Sequence, residues 1–121
     1  MPLARDDRDG VAVFVLDGSL DAAAAPGIEG ALMDAIDGGA RRVLVDLSGV
    51  PFVDSSGLSV LIRAFEKTRE HGGRLAVAGV RESVKPVLRL TRLDRVLEVM
   101  DDPARAVETL AQSGQAQSGQ A

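Results

Sequence analysis

Three strand-like runs constrain this chain more than anything else in it. They are "VAVFVL" from Val11, "RVLVDL" from Arg42 and "RLAVAG" from Arg74, and segments of helical periodicity separate them. A short, nearly continuous apolar run between turn residues is the pattern of a strand covered on both faces. Strands that alternate with helices build an α/β domain with a largely parallel sheet. Upstream of Val11 lies "PLARDD", polar and followed by Asp9-Gly10. Asp-Gly between extended segments predicts a hairpin. The first strand is therefore an antiparallel edge, and the sheet is mixed.

The helical segments follow the same logic. Ile28, Leu32, Ala35 and Ile36 fall on one helical face, and Gly38-Gly39 ends that helix. Pro26 and Gly30 leave its start open by several residues. Leu58, Leu61, Ile62 and Phe65 form the expected stripe of a second helix, which ends at Gly72-Gly73. "ESVKPVLRLT" predicts a short helix capped by Ser83, with Val84, Val87 and Leu88 inward. "RVLEV" reads as a last short strand. Asp102-Pro103 opens a final helix with Ala106, Val107 and Leu110 apolar. From Gln112 the pentapeptide QSGQA occurs twice, a composition that buries almost nothing. The expected division is a single domain over residues 1–111 and a disordered tail over 112–121.

Composition narrows the function. At 121 residues the chain suits one domain. No apolar run approaches the roughly 18 residues of a membrane span, and the N-terminus lacks a signal-peptide core, so a cytoplasmic location is expected. There is no cysteine, hence no disulfide or thiolate chemistry. The net charge is −4, basic residues are interspersed with acidic ones, and only three phenylalanines supply aromatic rings. A nucleic-acid surface calls for a basic patch or stacking aromatics, so none is expected.

The residues that carry chemistry are "PFVDSSGL", with Asp54, Ser55, Ser56 and Gly57 just ahead of the second helix and beyond a buried strand. In α/β sheets, sites form past the carboxyl ends of strands. A serine nucleophile needs a base within reach. The single histidine, His71, lies at the far end of the same helix, roughly 20 Å away at ~1.5 Å per residue. A histidine at that end stands where the helix dipole favours positive charge. No GxSxG, Walker A, HExxH or GxGxxG sequence occurs, and no enzymatic activity, metal or cofactor is expected. A phosphoacceptor Asp46 beside Asp6-Asp7 and Lys85-Pro86 fails on context: Asp6-Asp7 follows no apolar strand, and Lys85-Pro86 lies inside a helical pattern.

One of Asp54, Ser55 and Ser56 is expected to cap the helix. Capping needs one side chain, so it does not account for the Asp-Ser-Ser run. A helix N-terminus also tolerates a phosphate, through partial positive charge and free N–H groups. A phosphate on Ser55 adds about −1.5 to −2 charge beside Asp54 and changes the surface potential with little refolding.

The combination of "LDGSLD", "VLVDLSGVPFVDSSGL", "GGRLAVAGV" and "VKPVLRLTRLDRVLEV" resembles the STAS-domain anti-sigma factor antagonists of bacteria over about Val11 to Leu110. That resemblance implies a non-catalytic regulator of transcription that works by partner switching. Unphosphorylated, it binds an anti-sigma factor that is also a serine kinase of the GHKL type, and so frees the sigma factor. Phosphorylation by that kinase switches it off, and a PP2C-type phosphatase reverses this. It implies Ser55 as the phosphorylated residue and Ser56 as the neighbour that caps or supports the helix. Asp21, Asp54, Ser55, Ser56, Gly57 and Leu58 are the implied partner-binding residues, in a monomer or weak dimer. Ser59 stands where many members have glycine. Two alternatives belong to other classes: a STAS-like subunit binding a nucleotide or lipid in a transport or envelope complex, and a scaffold subunit of a stress-sensing assembly.

Overall fold

The computed structural model describes residues 3–120, with side chains described through residue 112. Five strands form one sheet in the order β1-β2-β3-β4-β5: Leu3–Arg8, Val11–Asp17, Arg42–Gly49, Arg74–Ala78 and Glu98–Met100. β1 runs antiparallel to β2, and every other pairing is parallel. Helices α1 (Ala25–Asp37), α2 (Ser55–Glu70), α3 (Lys85–Leu90) and α4 (Leu93–Val96) fill the connections between the parallel strands, and α5 (Pro103–Gln120) follows β5. The mixed α/β architecture is the one expected.

The hairpin turns at Asp9 (φ 53°) and Gly10 (φ 80°). Two successive positive φ values define the turn whose twist matches its strands, and Asp-Gly adopts it at low cost. β1 is an exposed edge bearing Arg5–Asp7 and Arg8–Asp6 ion pairs; charge along an edge discourages pairing with another chain.

The apolar runs are explained by cover on both sides. Phe14, Leu16, Val43, Val45, Leu47, Leu75 and Val77 belong to a core shared with α1 to α4. Val11, Val13, Leu44, Ala76 and Ala78 face the other way, against Ala106, Val107 and Leu110 of α5. Each fully buried leucine or isoleucine contributes about 2 kcal/mol. Asp102 opens α5 as expected: its carboxylate accepts from the Ala104 N–H at 3.0 Å. The proposed tail over 112–121 lies, from residue 113 on, outside the residues whose side chains are described; the α5 backbone runs to Gln120.

Three local expectations need correction. The buried face of α2 is Gly57, Leu58, Val60, Leu61, Ala64 and Thr68, while Ile62 and Phe65 are half-buried. The buried face is shifted toward Ala64 and Thr68, and Ile62 and Phe65 pack at its margin; the Thr68 hydroxyl donates to the Ala64 carbonyl at 2.7 Å, and a satisfied hydroxyl is cheap to bury. Ser83 does not cap α3; the N-cap is Val84, without a side-chain bond, and Ser83 Oγ donates instead to the Pro51 carbonyl at 2.8 Å. Finally, "RVLEV" splits. Arg95 and Val96 complete α4, Leu97 turns into the core, and only Glu98–Met100 pairs as strand.

Candidate functional site

β3 delivers the chain to the carboxyl edge of the sheet, where Pro51 to Asp54 cross to α2. Asp54 is extended (φ −102°, ψ −173°), and its carboxylate accepts from the Gly57 N–H at 3.1 Å. That is the geometry of an N-cap. The capping expected of Ser56 therefore belongs to Asp54, because an extended Asp reaches the third helical N–H while a serine already inside the helix cannot. Ser55 and Ser56 occupy the first two helical positions. Ser55 is exposed and Ser56 half-buried.

The loop is held by its neighbour. Leu20 and Val53 form an isolated parallel bridge. The Leu20 N–H donates to the Phe52 carbonyl at 2.9 Å, and the Asp54 N–H donates to the Leu20 carbonyl at 3.2 Å. Leu20 and Val53 are buried beneath. This zip fixes the β2–α1 loop, and Asp21 with it, beside the start of α2. Asp21 itself accepts from the N–H groups of Ala23 (3.1 Å) and Ala24 (3.0 Å), which turns the chain into α1.

Gly57 is the one residue type that fits this zip. A Cβ at Gly57 would overlap the Leu20 carbonyl oxygen and lie 3.0 Å from Val53 Cγ1. Neither neighbour can retreat without breaking the bridge. The Asp-Ser-Ser-Gly run thus divides its work: Asp54 caps, Gly57 allows close approach, Leu58 anchors the first turn in the core, and the two hydroxyls are left out of the capping.

Beside the serines runs an open groove of about 360 Å³ between α1 and α2, lined by Ala22, Pro26, Glu29, Ser56, Ser59 and Arg63 among others. Arg63 spans it, with Nε and Nη2 donating to the Glu29 carboxylate at 2.7 and 2.8 Å. Those hydrogen bonds hold the Glu29 carboxyl below the ordinary glutamate range and raise the guanidinium. Ser59 Oγ donates to the Ser55 carbonyl at 2.9 Å, so its hydroxyl has a local partner in the helix. The groove was not anticipated, although Ser56, Ser59 and Arg63 have i, i+3, i+7 spacing and so share a helical face. The facing Glu29 comes from another helix, and nothing local announces it.

His71 caps the far end of α2, its Nδ1 2.9 Å from the Lys67 carbonyl. Asp46 accepts at one carboxylate oxygen from the Ser48 N–H (2.9 Å) and hydroxyl (2.6 Å). Neither belongs to the serine site. Among the described residues, no group of three or more His, Cys, Asp or Glu side chains could hold a metal ion, and no helix is long and apolar enough to cross a membrane.

A family model described as the STAS domain matches residues 3–107. The chain is 30% identical to an anti-sigma-B factor antagonist of Listeria monocytogenes over 95 residues, which covers 77% of this chain and 81% of the relative. It is 26% identical to an anti-sigma F factor antagonist of Paenibacillus polymyxa over 114 residues, covering 91% and 95%. The crystal structure of an anti-sigma factor antagonist from Mycobacterium paratuberculosis superposes with a TM-score of 0.82 at 26% identity, over 89% of this chain and 92% of that one. The match spans the hairpin, the zipped loops and the helix that carries the serines, and the chain belongs to the STAS-domain family of anti-sigma factor antagonists.

Proposed function

We propose that this protein binds an anti-sigma factor through the surface formed by Asp21, Asp54, Ser55 and Ser56, supported from beneath by the buried Gly57 and Leu58, and that phosphorylation of Ser55 ends that binding. The partner is an anti-sigma factor that is also a GHKL-type serine kinase, and a PP2C-type phosphatase restores the unmodified form. The observation that carries this reading is the exposure of Ser55 at the first position of a helix whose cap is another residue. A kinase can take the Ser55 hydroxyl without uncapping α2. The helix N-terminus tolerates the product. Asp54 next to it adds repulsion, and Arg63 is already paired with Glu29. The added charge then stays at the surface, where it opposes docking and leaves the fold unchanged.

Incubation with the cognate kinase and ATP should add one phosphate, located on Ser55 by fragmentation mass spectrometry. Modification of Ser56 alone, or none by a kinase shown to bind, would overturn the assignment. Ser55→Ala should bind the kinase and resist inactivation. Ser55→Asp should bind more weakly, with a smaller effect than phosphate because a carboxylate carries less charge.

A further inference from the structure

The charge of this protein is unevenly placed. Between Arg81 and Arg95 lie five of the 14 basic residues and two of the 18 acidic ones, so that segment carries +3 and the rest of the chain −7. The segment comprises α3, α4 and their approach. Lys85 pairs with Glu82 at 2.6 Å. Arg81, Arg89, Arg92 and Arg95 are exposed, and among the described residues none lies within ion-pair distance of a carboxylate. Elsewhere Arg5, Arg8, Arg63, Lys67 and Arg74 each hold an acidic partner; Arg41 and Arg42 bond backbone carbonyls, Arg69 lies over the Phe65 ring, and Arg105 has no carboxylate within ion-pair distance among the described residues.

Two further features coincide with the free arginines. Leu90 is 85% exposed and Val96 50% exposed, so large aliphatic groups stand among the guanidinium groups. Arg92 has φ 61°, a left-handed conformation that costs a non-glycine residue about 1 kcal/mol. That turn brings α4 into contact with α3, so the two short helices that carry these basic and aliphatic residues form one elbow.

We propose that the α3–α4 elbow is a docking surface for an acidic protein segment that carries aliphatic side chains. Charge complementarity selects the sign of the partner, and the exposed Leu90 and Val96 supply apolar contact. An anionic membrane fits less well: helices of six and four residues offer no continuous apolar face. Nucleic acid finds no stacking aromatic in this segment. The inference goes beyond the Ser55 switch and does not rest on it.

The test is an amide-resolved NMR titration of the full chain with a short synthetic peptide of Glu-Glu-Leu repeats. The expected result is shifts centred on Arg89, Leu90, Arg92, Arg95 and Val96, with affinity that falls as salt is added. The double variant Arg89→Glu with Arg95→Glu should weaken binding about tenfold, and Leu90→Ser about threefold. These residues are exposed, so the fold persists in both variants. Ser55→Asp should leave the titration unchanged, which separates this surface from the switch. Shifts located elsewhere, equal affinity in the double variant, or tighter capture by phosphatidylglycerol vesicles or duplex DNA than by the peptide would overturn the proposal.

Discussion

α2 and α3 begin at the same edge of the sheet and are tied together through Ser83 and Pro51, yet they are built by opposite means. α2 has an Asp54 cap, a buried glycine against a backbone bridge, and sixteen residues of helix. α3 has no side-chain cap, six residues, and an exposed leucine at its end. The first is a rigid platform that holds an exposed hydroxyl in one place. The second is a short ridge whose exposed side chains the core does not use. Rigidity suits a site that an enzyme must recognise, because the acceptor stays in register. Free surface groups suit docking, because changing them costs little stability.

That contrast can be broken most severely at Gly57. Gly57→Ala should lower stability by about 3 kcal/mol, from overlap with the Leu20 backbone, measured by urea unfolding; a loss under about 1 kcal/mol would mean that the zip is loose. Asp54→Ala should cost about 1 kcal/mol through loss of the cap, with the amide of Gly57, its hydrogen-bond donor, exchanging faster. Ser83→Ala should cost about 0.5 kcal/mol, since its bond to Pro51 is exposed, and should increase motion of the Pro51–Phe52 loop in NMR relaxation. If Ser83→Ala proved as costly as Asp54→Ala, the two helix starts would not differ as described.

The smallest effect concerns pH. Glu29 is held below the ordinary glutamate range by its hydrogen bonds to Arg63. A depressed carboxylate favours the folded state above its unfolded pKa, and that contribution is lost as pH falls through the folded pKa. The pair is exposed and screened, so the change in stability is slight. NMR titration of the Glu29 carboxyl is the better measure: Arg63→Ala should return its midpoint upward to the usual glutamate range. An unchanged midpoint would remove Arg63 as the cause.

Much of this was legible residue by residue. Asp9-Gly10 specified its turn because few residue pairs take two positive φ values. The apolar runs specified strands buried on both faces, and Ile28, Leu32, Ala35 and Ile36 named the inner face of α1. Asp102 and Pro103 marked the start of α5. Errors arose where local signals were evenly matched. Ser83 looked like a cap, but Pro51 offered its hydroxyl a partner 32 residues away. "RVLEV" has strand propensity, but β4 needed only three residues of partner.

The sequence by itself determined the alternation of strands and helices, the hairpin, and an acidic-serine-glycine run at the start of a helix, since each depends on neighbours within a few positions. Only the tertiary structure decided what each member of that run does. Asp54 became the cap because the chain enters α2 extended. Gly57 became irreplaceable because Leu20, 37 positions earlier, lies against it. Ser55 was left exposed because both of those tasks were already filled. Such roles depend on close approach between segments distant in the chain, and no local pattern encodes that distance.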